Sequence, residues 1–134
     1  MIKKVVPQMG DGIKKTEVNE QLRFSFGYFT HDEELSPQVF AEAYLPKLLE
    51  RLKGLSSWTL KQFTGTTVKA VRNHSITWSE TSRPNGFTHL PEQIREGSAW
   101  QFSISANEHG RVHGLLIGST FYVVWLDCNH NLYP

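Results

Sequence analysis

The clearest pattern along the chain is an alternation of apolar and polar residues in its last third. Residues 100–106 alternate in this way, and residues 111–117 and 120–127 form two apolar runs on either side of Gly118 and Ser119. A period of two is typical of a half-buried strand. Glycine at the first position of a two-residue loop favours a type II′ hairpin. The last third therefore predicts a three-stranded antiparallel meander.

The part of the chain before residue 56 predicts a strand followed by an amphipathic helix. Residues 22–29 alternate with period two. Ser36 and Pro37 form a good helix start, because serine caps free backbone N–H groups and proline fits the first helical position. Apolar residues then recur every three or four positions, and Gly54 stands where a C-terminal cap is expected. Pro46 interrupts this run, so either the helix bends there or a second helix begins.

Shorter elements are predicted between this helix and the meander. Thr59 and Gln62 have the three-residue spacing of a capping pair and favour a short helix. Residues 68–71 and 74–78 are candidate strands. Residues 90–95 predict a helical turn.

These elements together predict the α+β class, with an N-terminal strand and amphipathic helices followed by a C-terminal antiparallel meander. Residues 1–20 mix charged, polar and glycine residues without periodicity, and we expect a loosely ordered leader there. Residues 21–134 are expected to form a single domain. A chain of 134 residues that is 39% hydrophobic can bury a core without disulfides or structural metals.

Charge and cysteine content narrow the possible partners and compartments. The 14 Lys and Arg residues nearly balance the 13 Asp and Glu residues, so binding to nucleic acid would require a local basic patch. Cys128 is the only cysteine, which favours a reducing cytoplasm. No apolar segment follows the first lysines, and the run 121–126 is too short to cross a membrane. We therefore expect a cytoplasmic protein without membrane association, and no motif predicts a metal or another cofactor.

The hairpin predicts which side chains share a face of the meander. With Gly118 and Ser119 as the turn, His113 is expected opposite Val124, and Arg111 opposite Leu126. The predicted face is apolar except at the end where Arg111 and His113 project about 7 Å apart. Its members are Trp100, Phe102, Ile104, Arg111, His113, Leu115, Ile117, Tyr122, Val124 and Leu126.

The polar end of this face contains the residue types that phosphodiester cleavage requires. Arg111 can hold a phosphate through two parallel hydrogen bonds, and His113 or His130 can transfer a proton near neutral pH. Tyr133 can stack on a base or donate a hydrogen bond to a leaving oxygen. Each residue also has an ordinary structural interpretation. Arg111 can be a solvated strand end, His113 a hydrogen-bonded core residue and His130 a surface residue.

The C-terminal sequence resembles that of a family of small uncharacterised bacterial proteins. The shared tail reads GRVHGLLIGSTFYVVWLDCNHNLYP in this chain, follows WQFSIS, and is accompanied by an earlier LLERLKGLS segment. Members usually carry a proline where this chain has Cys128. The resemblance covers most of the chain from Leu22 onward and implies no established function.

The predicted order of elements also resembles that of the RelE/YoeB-like toxins, which cleave mRNA in bacterial toxin–antitoxin pairs. These toxins place a catalytic arginine early in the second meander strand, where Arg111 stands. They place a histidine and a tyrosine near the C-terminus, where His130 and Tyr133 stand. In the YoeB-like members these two residues are adjacent, and the toxins are usually strongly basic, unlike this nearly neutral chain.

This second resemblance implies a metal-independent ribonuclease acting on mRNA, with the ribosome and a neutralising antitoxin as partners. Arg111 would then bind the scissile phosphate, His130 would act as general acid or base, His113 would assist, and Tyr133 would position a base. The alternative is a non-catalytic interaction module that binds a protein or forms a homodimer. Residues 121–126 favour this alternative, because no late helix is predicted to cover both faces of that apolar strand.

Overall fold

A five-stranded mixed sheet is the frame of the molecule. The computed structural model describes residues 20–36, 40–106 and 108–134, so the predicted leader lies outside it except for its last residue. Three α-helices and one 3₁₀-helix accompany the sheet in these ranges, which confirms the α+β class. The strands are β1 Arg23–Ser25, β2 His74–Ser75, β3 Ser98–Ser103, β4 Arg111–Ile117 and β5 Thr120–Asp127, and the helices are α1 Tyr44–Leu55, α2 Leu60–Gly65, the 3₁₀-helix Trp78–Glu80 and α3 Glu92–Arg95.

The sheet has the strand order β1-β5-β4-β3-β2. Strands β3, β4 and β5 form the predicted antiparallel meander, and β2 adds to it antiparallel at the β3 edge. Strand β1 pairs parallel with β5 at the other edge. A parallel neighbour requires a crossover rather than a hairpin, so the chain between β1 and β5 contains all the other elements.

The β4–β5 hairpin has the predicted turn but not the predicted register throughout. Gly118 has the positive φ of 62° that the first position of a type II′ turn requires, and Ile117 pairs with Thr120 as expected. A β-bulge between His113 and Gly114 then shifts the register by one residue. Beyond it His113 pairs with Trp125 and Arg111 with Asp127, so the predicted pairs His113–Val124 and Arg111–Leu126 are wrong.

The predicted membership of the polar face is also wrong in part. Phe102 pairs with Val112, and Gln101 pairs with His113. Successive residues of a strand point to opposite faces. Phe102 therefore lies on the face opposite to His113, and the two cannot share the single surface that the sequence predicts.

The first helix begins later than the sequence predicts. Tyr44 is its first residue, and Pro46 lies in the first turn, where its missing N–H removes no helical hydrogen bond. Pro37, the expected first helical residue, lies outside the described residues. The side chain of Ser36 does not cap the helix, because its Oγ accepts a 2.7 Å hydrogen bond from the backbone N–H of Leu126.

Several shorter predictions can be compared with the structure. Thr59 and Gln62 form the predicted capping box of α2, with hydrogen bonds of 2.8 and 3.1 Å. The first strand covers only part of residues 22–29, because a turn follows at residues 27–28. Residues 68–71 are not a strand. Gly54 lies inside α1 rather than beyond its end.

Both faces of the sheet are covered by the chain itself. On one face, side chains of α1 and α2 pack on Phe121 and Val123, and on the other, loop residues such as Leu35 and Phe87 pack on Trp125. Phe121 and Val123 have no exposed surface and Trp125 is 2% exposed. The sequence analysis predicts a homodimer as an alternative because residues 121–126 are apolar on both faces. In the structure, these faces are covered by residues of the same chain.

Gly110 allows the end of β5 to approach the start of β4. Its φ is +72°, and a Cβ atom there would collide with the carbonyl oxygen of Asp127 and the backbone of Cys128. Glycine is required at this position both for its backbone conformation and for the space it leaves. Gly118 has a similar φ of +62° but has open space around its Cα.

This difference predicts a matched pair of stability effects. Gly118→Ala should lower the free energy of unfolding by about 1–2 kcal/mol, because only backbone strain is added. Gly110→Ala should cost about 3 kcal/mol or more, because strain is combined with a backbone collision. Urea denaturation followed by tryptophan fluorescence measures both. Equal costs for the two variants would contradict the close approach at Gly110.

Candidate active site

Two cross-strand rows of side chains meet on one face of the sheet. Directly opposed residues on antiparallel strands point to the same face, so each row gathers its side chains. The bulge places Asp127 in the second row, where the uninterrupted register would have placed Leu126. The first row is His74, Gln101, His113 and Trp125, and the second is Ser103, Arg111 and Asp127.

A cleft of about 410 Å³ opens on this face, over every member of the two rows except Trp125 and Ser103. All four residues predicted from the sequence, Arg111, His113, His130 and Tyr133, line it. The structure places these four side chains around one cleft, and their catalytic roles stay predictions. The sequence analysis missed the other lining residues, which are Thr67, Arg72, His74, Gln101 and Asp127.

Asp127 holds the C-terminal segment against the cleft. Its two carboxylate oxygens accept hydrogen bonds from the backbone N–H groups of Asn131, at 2.8 Å, and Leu132, at 2.9 Å. Leu132 is fully buried, and His130 adopts a left-handed backbone with φ of 59°. The carboxylate thus fixes the turn that carries His130 to the cleft.

Tyr133 is held by contacts on the far side of the cleft. Its hydroxyl oxygen accepts a 2.8 Å hydrogen bond from the backbone N–H of Thr77. Its ring meets the His74 ring edge-on, with 5.9 Å between the ring centroids. Because the hydroxyl oxygen is used as an acceptor, its hydrogen remains available for a ligand.

His113 forms the buried floor of the cleft. It has no exposed surface, and neither ring nitrogen has a hydrogen-bond partner among the described residues. Burial, together with the charge of Arg111, lowers the pKa of His113 to about 3. Its Nε2 lies 3.8 Å from an oxygen of Asp127, but burial of both groups opposes an ion pair. His113 is therefore a neutral imidazole at pH 7.

His74 and Gln101 form a hydrogen-bonded pair beside His113. The Nδ1 atom of His74 lies 2.7 Å from the carbonyl oxygen of Ser75, so Nδ1 carries a hydrogen. Its Nε2 can then accept the 3.1 Å hydrogen bond from the side-chain amide of Gln101. The side-chain carbonyl oxygen of Gln101 is buried and finds no hydrogen-bond partner in the described ranges. Only the pairing of β2 with β3 brings His74 here, so no local sequence signal identifies it.

Arg111 and His130 provide a cation and a titratable base. Arg111 is half-buried, and its guanidinium makes one long hydrogen bond of 3.4 Å to the carbonyl oxygen of Gly110. Burial lowers the pKa of His130, and Arg111 lowers it further while Asp127 opposes this shift. His130 is therefore mostly unprotonated at pH 7 and ready to accept a proton.

These groups suit chemistry on an anionic ester. A guanidinium can bind the anion and stabilise charge that develops on it. A neutral histidine at the cleft mouth can remove a proton, and a tyrosine hydroxyl can donate a hydrogen bond. No group of three or more His, Cys, Asp and Glu side chains among residues 20–36, 40–106 and 108–134 is arranged to hold a metal ion.

Comparisons with other proteins add no relative. No family model matches the chain, and neither a curated protein nor a solved structure matches it. None of the helices in the described part of the chain is long and apolar enough to span a membrane.

The buried His113 predicts a pH dependence of stability. Its pKa is about 3 in the folded chain and near the ordinary value of 6.5 when unfolded. Between these values the unfolded state binds more protons, so stability falls as pH decreases from about 6.5 toward 3. His113→Gln should flatten this part of the stability curve.

Urea denaturation at a series of pH values measures this slope. His31→Gln, which removes an exposed imidazole, is the control and should keep the wild-type slope. Asp127 titrates in the opposite sense because burial raises its pKa, but it is present in every variant. An unchanged slope in His113→Gln would show that this imidazole does not titrate as its burial requires.

Proposed function

We propose that the chain is a metal-independent ribonuclease that cleaves mRNA in the manner of the RelE/YoeB-like toxins. The observation that carries this proposal is the convergence of Arg111, His113, His130 and Tyr133 on one cleft. A volume of about 410 Å³ is within the range of small-ligand sites and suits one nucleotide unit of a single strand. Sequence-specific RNA recognition commonly uses single strands, whose bases can leave the stack.

Each residue has a role in the proposed cleavage. His130 removes the proton of the ribose 2′-hydroxyl, whose oxygen attacks the adjacent phosphorus. Arg111 binds the phosphate and stabilises the charge that develops on its oxygens. Tyr133 donates a hydrogen bond to the 5′ oxygen, and a solvent water supplies the proton that this oxygen takes up as its bond to phosphorus breaks. The proton that His130 has removed is then released to solvent. The products are a 2′,3′-cyclic phosphate and a 5′-hydroxyl end.

His113 has an indirect role in this proposal. With a pKa of about 3 it carries no positive charge at neutral pH and cannot serve as the general acid. Both ring nitrogens are buried and without partners in the described chain, so they do not reach a group bound in the cleft. His113 therefore assists as a neutral support beneath the cleft, paired with Gln101 of β3, rather than by transferring a proton.

The proposal includes partners and a compartment. The substrate is mRNA, which the chain would cut in the cytoplasm in association with the ribosome. A neutralising antitoxin protein would bind the chain between periods of activity. The non-catalytic alternative is weakened, because Phe121, Val123 and Trp125 are already covered within the chain.

The proposal is tested by inducing the chain in a bacterial host and following growth and RNA integrity. Induction of the wild type should arrest growth and degrade mRNA. Arg111→Ala and His130→Ala should each lower cleavage by at least about 100-fold, because phosphate binding or proton transfer is lost. Cleavage of a single-stranded RNA by the purified variants quantifies the loss.

Two matched variants control for loss of charge and of imidazole. Arg95→Ala removes an exposed arginine of α3, and His31→Ala removes an exposed histidine, both outside the cleft. Both should cleave RNA like the wild type. Intact RNA after induction of soluble wild-type protein would refute the ribonuclease proposal, as would full activity of the Arg111→Ala/His130→Ala double variant.

A further inference from the structure

Arg72 is held in a backbone conformation that arginine disfavours. Its φ is +53°, in the left-handed region, where the Cβ atom of any residue other than glycine is crowded against the backbone. Such conformations persist where surrounding contacts enforce them, and they cluster at functional sites. Glycine would fit this position without strain. The presence of an arginine here therefore suggests that its guanidinium has a function.

The contacts that enforce this conformation are numerous. The backbone N–H of Arg72 donates a 2.7 Å hydrogen bond to the carbonyl oxygen of Val68. The next residue, Asn73, is buried and uses its side chain to bind the backbone of Phe63, Thr66 and Val68. The preceding carbonyl, at Val71, accepts hydrogen bonds from both the N–H and the hydroxyl of Ser103. The turn that presents Arg72 to the cleft is thus attached to α2 and to β3.

The two arginines of the cleft lack ionic partners. Neither Arg72 nor Arg111 forms a salt bridge within the described part of the chain. The Nε atom of Arg72 is buried and has no hydrogen-bond partner among the residues that the structure describes. Both arginine side chains line the same cleft. Two like charges in a partly desolvated cleft repel each other, and an anion between them would remove that cost.

The remaining groups of the cleft favour an anion as well. Among the lining residues in the described ranges Asp127 is the only carboxylate, and both of its oxygens accept hydrogen bonds from backbone N–H groups. Two guanidiniums and one carboxylate leave a net positive charge, which the single negative charge of a phosphodiester would balance. Guanidinium geometry matches phosphate oxygens, with two parallel hydrogen bonds from each arginine.

We infer that Arg72 and Arg111 together form a phosphate-binding site, in which Arg72 supplies the second guanidinium. The ligand is the phosphate group of a nucleotide. The assignment of that nucleotide to RNA rests on the proposed function, whereas the binding of phosphate does not. The site is therefore expected to bind phosphate in the absence of any cleavage.

The test measures binding by titration calorimetry at low salt, with two probes. Inorganic phosphate reports the bare anion site, and a deoxydinucleotide reports a phosphodiester that cannot be cleaved because it lacks the 2′-hydroxyl. The wild type should bind the dinucleotide, and Arg72→Gln should weaken this binding at least about tenfold through loss of charged hydrogen bonds. Arg95→Gln removes the same charge from the surface and should bind like the wild type.

Arg72→Gly separates the side chain from its backbone strain. This variant should lose binding as Arg72→Gln does, while its thermal midpoint rises by about 2–6 °C because the left-handed conformation suits glycine. A stable Arg72→Gly variant that binds the dinucleotide like the wild type would overturn the inference. The inference would also be overturned if the wild type bound neither inorganic phosphate nor the dinucleotide.

Outcomes for the two proposals are distinguishable. Phosphate binding that depends on Arg72, without RNA cleavage, would support the anion site and refute the ribonuclease. Cleavage that is unaffected in Arg72→Gln would support the ribonuclease and refute the role of Arg72. Binding of inorganic phosphate but not of the dinucleotide would contradict a site for nucleotide phosphates.

Discussion

The β-bulge between His113 and Gly114 is the feature on which the site depends. Without it, the regular alternation of β5 would turn Val124 and Leu126 toward the cleft. The bulge reverses this order, so Trp125 and Asp127 lie on the face that carries the cleft, and Asp127 lines it. Gly114 allows the strands to approach here, because a Cβ atom would collide with the carbonyl oxygen of Tyr122 and the ring of Phe121. The bulge thus places the carboxylate of Asp127 opposite Arg111, where an uninterrupted strand would place the apolar side chain of Leu126.

Asp127 transmits this local change to the C-terminal segment. A carboxylate at this position receives the N–H groups of two later residues and so sets the turn that carries His130 and brings Tyr133 to Thr77. Ser82 reinforces the arrangement by binding the carbonyl oxygens of Asn131 and Leu132. The position of the proposed base therefore depends on a buried acid and on a loop, rather than on the strand that precedes it.

The sequence predicts the elements whose signals are local. Thr59 and Gln62 satisfy a three-residue capping rule, and Gly118 satisfies the backbone requirement of a tight turn, so both could be identified without tertiary information. The start of α1 could not, because Ser36 has two possible uses and its hydroxyl binds the N–H of Leu126, 90 residues away. A bulge has no periodic sequence pattern, and so the predicted register fails at residues 111–113 of β4.

The residues of the candidate site also fall into those that a local sequence pattern brings together and those that only tertiary pairing brings together. Arg111 and His113 belong to one strand, so their proximity follows from alternation alone. His74 and Arg72 reach the cleft only because the chain between α2 and β3 adds a short strand at the sheet edge. That pairing joins residues 27 positions apart, as His74 and Gln101 show, and no spacing rule covers such a distance. The long segment before β3 also supplies Ile76, Phe87 and Leu90, which help to cover the sheet face that carries Trp125.

The charge distribution bears on how an RNA substrate would arrive. A net charge of +1 creates no strong long-range field that draws a polyanion, so attraction would come from local groups such as Arg72 and Arg111 and would be short-ranged in salt. Free RNA would then be captured slowly and released readily, because few phosphates contact basic residues. An mRNA strand that the ribosome already holds in an extended form would not need to be captured from solution. The local placement of charge therefore favours, within the proposed function, mRNA presented by the ribosome over RNA captured from solution.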